Sequence, residues 1–447
     1  MNKRNVIIIG AAGRDFHNFN TYYRENEAYN VVGFTAAQIP GIEGRKYPPE
    51  LAGDLYPEGI RIYPERDLPK LIKELDVDDC AFSYSDVSYQ HVMSVSAIVQ
   101  AAGASFVLLG PNDTMLKSSK PVIGVGAVRT GSGKSQTSRR IIEILMDKGL
   151  KVVAIRHPMP YGDLAAQKVQ RYADLSDLDK HNCTVEEMEE YEPHIVRGNV
   201  IYSGVDYEAI LKAAEDDPDG CDVIVWDGGN NEPPFYFPDL QVTVVDPLRA
   251  GHELRYYPGE VTLRIADVVI INKMDTAGIS DVNTIRKNIR KVNPDATVVE
   301  AASVIDVEDP EVITGKKVLV VEDGPTLTHG EMDIGAGVVA ARKFNASELV
   351  DPRPYTVGGL SETFEKYPDI GTLLPAMGYG DQMLKDLETT INNTACEAVV
   401  IGTPIDLGRI IDINVPATRV HYRLQEIGKP DLDVVLNDFI EKQNLIK

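Results

Sequence analysis

The stretch GVGAVRTGSGKSQTSRR, residues 124–140, decides how this chain is read. It grows out of the apolar run PVIGVGAV (121–128). It leads into Ile141, Ile142 and Leu145 at helical spacing, a Gly149 stop and a second apolar run. Strand, glycine loop, helix, strand is the setting in which Gly-x-Gly-Lys-Ser cradles phosphate. Backbone N–H groups of Gly131, Ser132, Gly133 and Gln136 can close on phosphate oxygens at a helix N-terminus. Lys134 supplies charge, and the Ser135 hydroxyl can hold Mg2+. One position departs from the usual G-x-x-x-x-G-K-[ST] spacing: Val128 stands where a glycine is asked for, with Arg129 beside it.

Composition sets the outer limits. At 447 residues with 43% hydrophobic content, the chain can bury several cores and divides into two or three domains. The opening MNKRNVIIIGAAG has an apolar run too short for a membrane helix, and it ends in a glycine turn as a first strand does. A cytoplasmic protein without a membrane partner is expected. Cys80, Cys183, Cys221 and Cys396 are scattered, so neither a disulfide framework nor a zinc site is expected. A formal charge of -23 argues against a nucleic-acid surface. An anionic ligand therefore needs a local cluster of cations and N–H groups.

Alternation of β-rich and helical stretches predicts an α/β fold with mostly parallel sheets. Residues 1–119 read as a Rossmann-like domain whose turn Gly10-Ala11-Ala12-Gly13 lacks the full dinucleotide fingerprint. Arg14, Asp15 and His17 follow that turn, where open α/β sheets hold ligands, which leaves a substrate role open. The linker-like GPNDTMLKSSKP (110–121) separates this domain from a P-loop NTPase domain, 120–325. A smaller α/β region, 326–447, is expected to complete the substrate site.

Two further motifs support the loop. CDVIVWDGGNN (221–231) is an apolar strand ending in Asp227, placed as a Walker B carboxylate that holds the Mg2+ water shell. ADVVIINKMDTA (266–277) ends in Asn272-Lys273-Met274-Asp275, in which Asp275 can accept bonds from a purine ring while Lys273 packs over the base. By itself this motif favours guanine, so GTP is possible instead of ATP. Further cations follow strand ends: Arg156 and His157 in RHPMPYG, Arg249 and His252 in DPLRAGHE, and His329 and Arg353 in the glycine-rich 323–354. The stretch DATVVEAAS and then KKVLVVED are expected to finish the nucleotide domain's sheet.

Arg129 stands five positions before Lys134, where the MinD and nitrogenase-iron-protein-like P-loop proteins carry an extra basic residue. That resemblance implies a homodimer in which this residue reaches the partner's nucleotide. A second resemblance covers nearly the whole chain. GAAGRDFHNFN, AVRTGSGKSQ, RHPMPYG, WDGGNN, DPLRAGHE, NKMD and DGPTLTHGEMDIGAG together resemble the cyclic 2,3-diphosphoglycerate synthetases and their relatives labelled as GTPases. The resemblance implies ATP-dependent closure of 2,3-diphosphoglycerate into a cyclic phosphoanhydride, releasing ADP and phosphate. In that reaction Lys134, Arg129, Asp227, Arg156 and His157 would be catalytic, Ser135 and Asp227 would hold Mg2+, and His252, His329 and Arg353 would steer the substrate. The runner-up is a SIMIBI-type GTPase switch or metal-centre chaperone. The scattered eight histidines and the lack of a Cys pair disfavour it.

Overall fold

The computed structural model describes residues 3–11, 13–37, 44–157, 162–229, 231–324, 335–376 and 381–446. It is a mixed α/β protein built on two large sheets and a small two-stranded one. The first large sheet has six strands, in the order Lys46–Tyr47, Ile60–Pro64, Tyr29–Ala36, Arg4–Ile9, Asp79–Phe82, Ser105–Val107. All its pairs are parallel except the short Lys46–Tyr47 edge. Such a sheet is covered on both faces, which is why VIII (6–9) and CAF (80–82) are apolar throughout instead of alternating.

The second sheet has 13 strands. At its centre the loop strand Val122–Ala127 lies between Val223–Asp227 and Leu240–Val245, all parallel. Val268–Ile271 and Thr297–Val307 continue it. Thr297–Val307 is long enough to pair a second time, antiparallel, with Ala417–Glu426, and that strand joins Ala398–Ile401 and then Lys317–Asp323. The strand in KKVLVVED therefore lies in this sheet, but among its C-terminal strands. The chain leaves the nucleotide-type core at residue 307 and its last strand returns to it. The helix Leu432–Gln443 packs Leu432, Val435, Leu436, Phe439 and Ile440 into one core with Ile141, Ile142 and Leu145 of the loop helix. All four cysteines are free thiols. Among the described residues, no helix is long and apolar enough to cross a membrane.

The first sheet docks on the second through Arg14 and His17, both buried. Arg14 donates to the Pro233 carbonyl (2.9 Å) and to Thr114 Oγ1 (3.2 Å). His17 stacks flat on Phe235, centroids 3.8 Å apart, with Nε2 2.6 Å from the Thr114 carbonyl. Burial, then the charge of Arg14, pushes His17 down to about 3, so this contact holds a neutral ring. These side chains, open to a substrate role on sequence grounds, join the two sheets.

In the C-terminal strands Glu322 is buried, and Gly335, Gly337 and Gly402 crowd its carboxyl so closely that no Cβ would fit. Val338 N–H donates to Glu322 Oε1 at 2.8 Å. Burial nevertheless pushes Glu322 up to about 7. The folded state then keeps a proton that the unfolded chain gives up near 4.5. This group therefore lowers stability as pH rises from about 4.5 to 7, and no further above that. Glu322→Gln should flatten that slope. In urea melts its gain over the parent protein at about pH 8, relative to pH 4.5, should reach up to about 3 kcal/mol.

Candidate nucleotide-loop site

The loop between the central strand and its helix needs two left-handed residues, and glycine stands at both: Gly131 (φ 77°) and Gly133 (φ 107°). A Cβ on Gly133 would lie 2.0 Å from Asn272 Nδ2, so the second glycine also admits a neighbouring strand end. The helix Lys134–Asp147 starts directly after Gly133, and no side chain caps it. Its first N–H groups are thus left for an external acceptor, as anion sites require.

Lys134 is turned inward. Its Nζ donates to Asp227 Oδ1 at 2.6 Å, and Ser138 Oγ donates to the same oxygen at 2.7 Å. Asp227 is fully buried. Burial works to raise its pKa, but Lys134 and then Arg156 outweigh this and hold it well below the ordinary carboxylate range. Burial pushes Lys134 the other way, downward, with Arg156 adding to the effect and Asp227 opposing it. Arg156 Nη1 donates to the Asp227 carbonyl (3.2 Å) and to that of Gly228, while Nη2 pairs with Glu190. Asp227 Oδ2 faces His194 Nε2 at 3.5 Å and makes no hydrogen bond among the described residues.

Two more strand ends, and the middle of the strand Thr297–Val307, converge on the loop and its helix. Asn272 Nδ2 donates to the Ser132 carbonyl (3.0 Å), and Lys273 Nζ to that of Gly131 (2.7 Å) and to Asp246 Oδ2 (3.0 Å). Arg249 Nη2 donates to the Thr130 carbonyl at 2.7 Å and pairs with Asp246 at 3.0 Å. Gln136 shares a 3.2 Å bond with Ser303 Oγ, and Ser303 N–H donates to the exposed Asp275 at 3.0 Å. Ser135 is half-buried at the start of the helix.

Arg129 is engaged within its own chain. It is 1% exposed, with Nε 2.6 Å from Asp86 Oδ1, Nη1 2.7 Å from His252 Nδ1, and its guanidinium 3.6 Å above the Tyr256 ring. Its expected reach to a partner's nucleotide would need the side chain to leave the carboxylate of Asp86. His252 stacks on Tyr256 and so backs the loop. His157 Nδ1 lies 2.5 Å from Glu232 Oε1, and a Cβ on either Gly13 or Gly229 would meet its ring. Arg353 is not brought here: it pairs with Asp351 (3.0 Å), donates to the Ile370 carbonyl and sits over Phe364 in the C-terminal part. His329 lies outside the described residues.

Sequence reasoning passed over the helix Val185–Ile195, VEEMEEYEPHI, whose run of glutamates reads as a solvated face. Glu186, Glu187, Glu189 and Glu192 are instead each at most 5% exposed. Burial, and then Asp323, raises Glu189 well above the ordinary range, and Thr403 Oγ1 donates to it. Glu187 is pushed up to about 7 by burial while it closes a capping box with Thr184. Glu192 pairs with Arg409 at 3.1 Å. Through Glu190 and Arg156 this acidic helix adjoins Asp227 and Lys134. The recurrence of Glu at 186 and 189/190 was the available signal. It places carboxylates on one face, and their inward turn comes from contacts distant in sequence.

Taken together, the site sets an open helix N-terminus and a lysine beside the Asp227–Arg156–Glu190 cluster, an arrangement that can hold a phosphate chain at the helix end. Removing Arg156 would leave Asp227 and Glu190 without their shared cation. Arg156→Ala should cost about 3–5 kcal/mol in urea melts, whereas Arg353→Ala, a partly exposed pair elsewhere, should cost under about 1 kcal/mol.

No family model matches the chain. "Arginine synthetase ArcE" of Thermococcus kodakarensis is 60% identical over 445 residues, which is 100% of this chain and 99% of that protein. Among solved structures, LpxK from Aquifex aeolicus in complex with ATP is 11% identical, covering 83% of this chain and 99% of its own, with a TM-score of 0.45. HypB, a hydrogenase maturation factor from Archaeoglobus fulgidus, is 17% identical over 40% of this chain and 78% of its own, with a TM-score of 0.24. The relative matched from end to end is not named as a cyclic 2,3-diphosphoglycerate synthetase, so that part of the sequence resemblance finds no support here. Identity at this level along the whole of both chains means that this protein belongs to the arginine synthetase ArcE family.

Proposed function

We propose that this chain is a nucleotide-driven synthetase that forms arginine. The end-to-end identity to a protein named arginine synthetase carries the reading. Glu190, paired with Arg156 next to Asp227 and Lys134, supports it, because a carboxylate this close to the loop suits an amino acid with a cationic side chain or product. Cyclisation of 2,3-diphosphoglycerate with ATP remains a second reading on its sequence phrases, and belongs in the same assay.

A guanidinium forms from a ureido group when the carbonyl oxygen is replaced by nitrogen. That oxygen leaves poorly until it is phosphorylated. The chemistry therefore needs transfer of a γ-phosphoryl group to the ureido oxygen, with nucleoside diphosphate released. A nitrogen nucleophile then attacks the carbon and phosphate departs, and protons shed by the nitrogen pass to solvent or to the phosphate. Positioning and charge neutralisation suffice for the first step. Gly131, Ser132, Gly133, Ser135 and Gln136 would cradle the phosphates through backbone N–H groups, and Lys134 would swing from Asp227 to the transferred group. Arg156 would then remain as the cation on Asp227. His157 and His252 would orient groups around the loop. Asn272, Lys273 and Asp275 would meet the base.

Mg2+ fits the donor set. The Ser135 hydroxyl and Asp227, whose Oδ2 is buried with no hydrogen bond among the described residues and faces His194 at 3.5 Å, are hard oxygen donors, and the ion would offset phosphate charge when bound. The division of labour would follow segments 1–119, 120–325 and 326–447, in the cytoplasm. In a homodimer, Arg129 would have to leave Asp86 to reach a partner's nucleotide.

Purified protein should be given ATP or GTP, Mg2+, ammonium and L-citrulline, the ureido analogue of arginine, with 2,3-diphosphoglycerate in a parallel reaction. Arginine and phosphate in equal amounts are expected. Cyclic product, or phosphate release indifferent to either substrate, would overturn the proposal. Comparing ATP with GTP decides what Asp275 reads. Lys134→Ala should lower arginine formation by at least about a hundredfold, measured as product per enzyme, with the circular dichroism spectrum kept.

A further inference from the structure

We propose that Asp86, supplied by the first sheet's domain, is a positioning residue for the nucleotide loop, so that this domain sets nucleotide affinity. The inference rests on the reading of residues 129–135 as a nucleotide loop, though not on which product is made.

Three consecutive loop residues are held from outside the loop. Asp86 Oδ1 takes Arg129 Nε at 2.6 Å, and Asp86 Oδ2 takes the Thr130 backbone N–H at 3.0 Å. Asn231 Nδ2 donates to the Val128 carbonyl at 3.1 Å, and the Asn231 Oδ1 accepts the Asp86 backbone N–H at 2.7 Å. Asp86 and Asn231 thus form one clamp around the entry of the loop. One carboxylate grips a guanidinium and an amide of adjacent residues, which fixes where the chain turns into Gly131 and Gly133.

The clamp is buried and built into the domain junction. The Asp86 and Arg129 side chains are 3% and 1% exposed. Asp86 itself has φ 57°, a left-handed conformation that costs a non-glycine residue energy, although aspartate tolerates it better than most. Right after it, Val87–Ser88 pairs antiparallel with Tyr256–Tyr257, and the Tyr89 hydroxyl donates to Glu260 at 3.1 Å. Arg129 stacks on Tyr256 of that same small sheet. Simple docking of the two domains is already provided by Arg14 and His17, so Asp86 has a separate use. It carries the first domain's position to the backbone that faces the phosphates.

The test is direct nucleotide binding by the full-length protein, with fluorescent analogues of ATP and GTP and no amino acid present. Asp86→Asn keeps the volume but sets an amide N–H against one of two donors. It should weaken the better nucleotide about tenfold or more, with the KM for the amino acid within about twofold and the melting temperature close to the parent's. Asp86→Ala should weaken nucleotide binding comparably. Combined with Arg129→Ala, it should be no worse than the more damaging single change, because both break one clamp. Unchanged nucleotide affinity in both Asp86 variants, or defects that multiply in the double variant, would overturn the proposal. Parent protein that binds neither nucleotide would instead remove the reading on which it rests.

Discussion

Everything around the loop depends on keeping one carboxylate charged where water cannot reach it. Asp227 is fully buried at the end of a central strand, and an isolated ion there would take up a proton. Lys134 and Ser138, one turn apart on the loop helix, and Arg156, from the end of a neighbouring strand, prevent this. Their arrangement also makes the loop lysine transferable. While Arg156 stays on Asp227, Lys134 can exchange its partner for a phosphate without stranding a buried negative charge.

The parts of this site legible in sequence are those whose chemistry is local. Gly131 and Gly133 announce left-handed turns, the apolar runs before Asp227 and Asn272 announce parallel strands, and their order places all three at one edge. Arg129 was visible as an anomaly, but its meaning was not, since its partner Asp86 belongs to another sheet. Glu186 to Glu192 were passed over for a related reason. A helix rich in glutamate looks solvated until cations and donors from Arg156, Thr403 and Arg409 turn it inward. The sheet's continuation past Val307 also needed a pairing between residues more than a hundred positions apart.

Charge separates the two chemical readings better than fold does. A P-loop surrounded by cations would suit a doubly phosphorylated acid. Here Arg129, Lys273 and Arg249 are each spent on Asp86 or Asp246. Next to Lys134, Asp227 and Glu190 share Arg156. With its cations occupied in this way, the loop's surroundings present little positive charge to a second polyanion.

The helix Leu432–Gln443 shares its core with the helix that begins at Lys134. A ribosome makes the loop early, and this partner for its helix much later. Until residues 432–443 have emerged, Ile141, Ile142 and Leu145 have an incomplete cover and the loop rests on an unfinished core. Activity is therefore tied to full translation: a chain stopped before residue 432 would carry every loop residue and still lack the packing that keeps them in place.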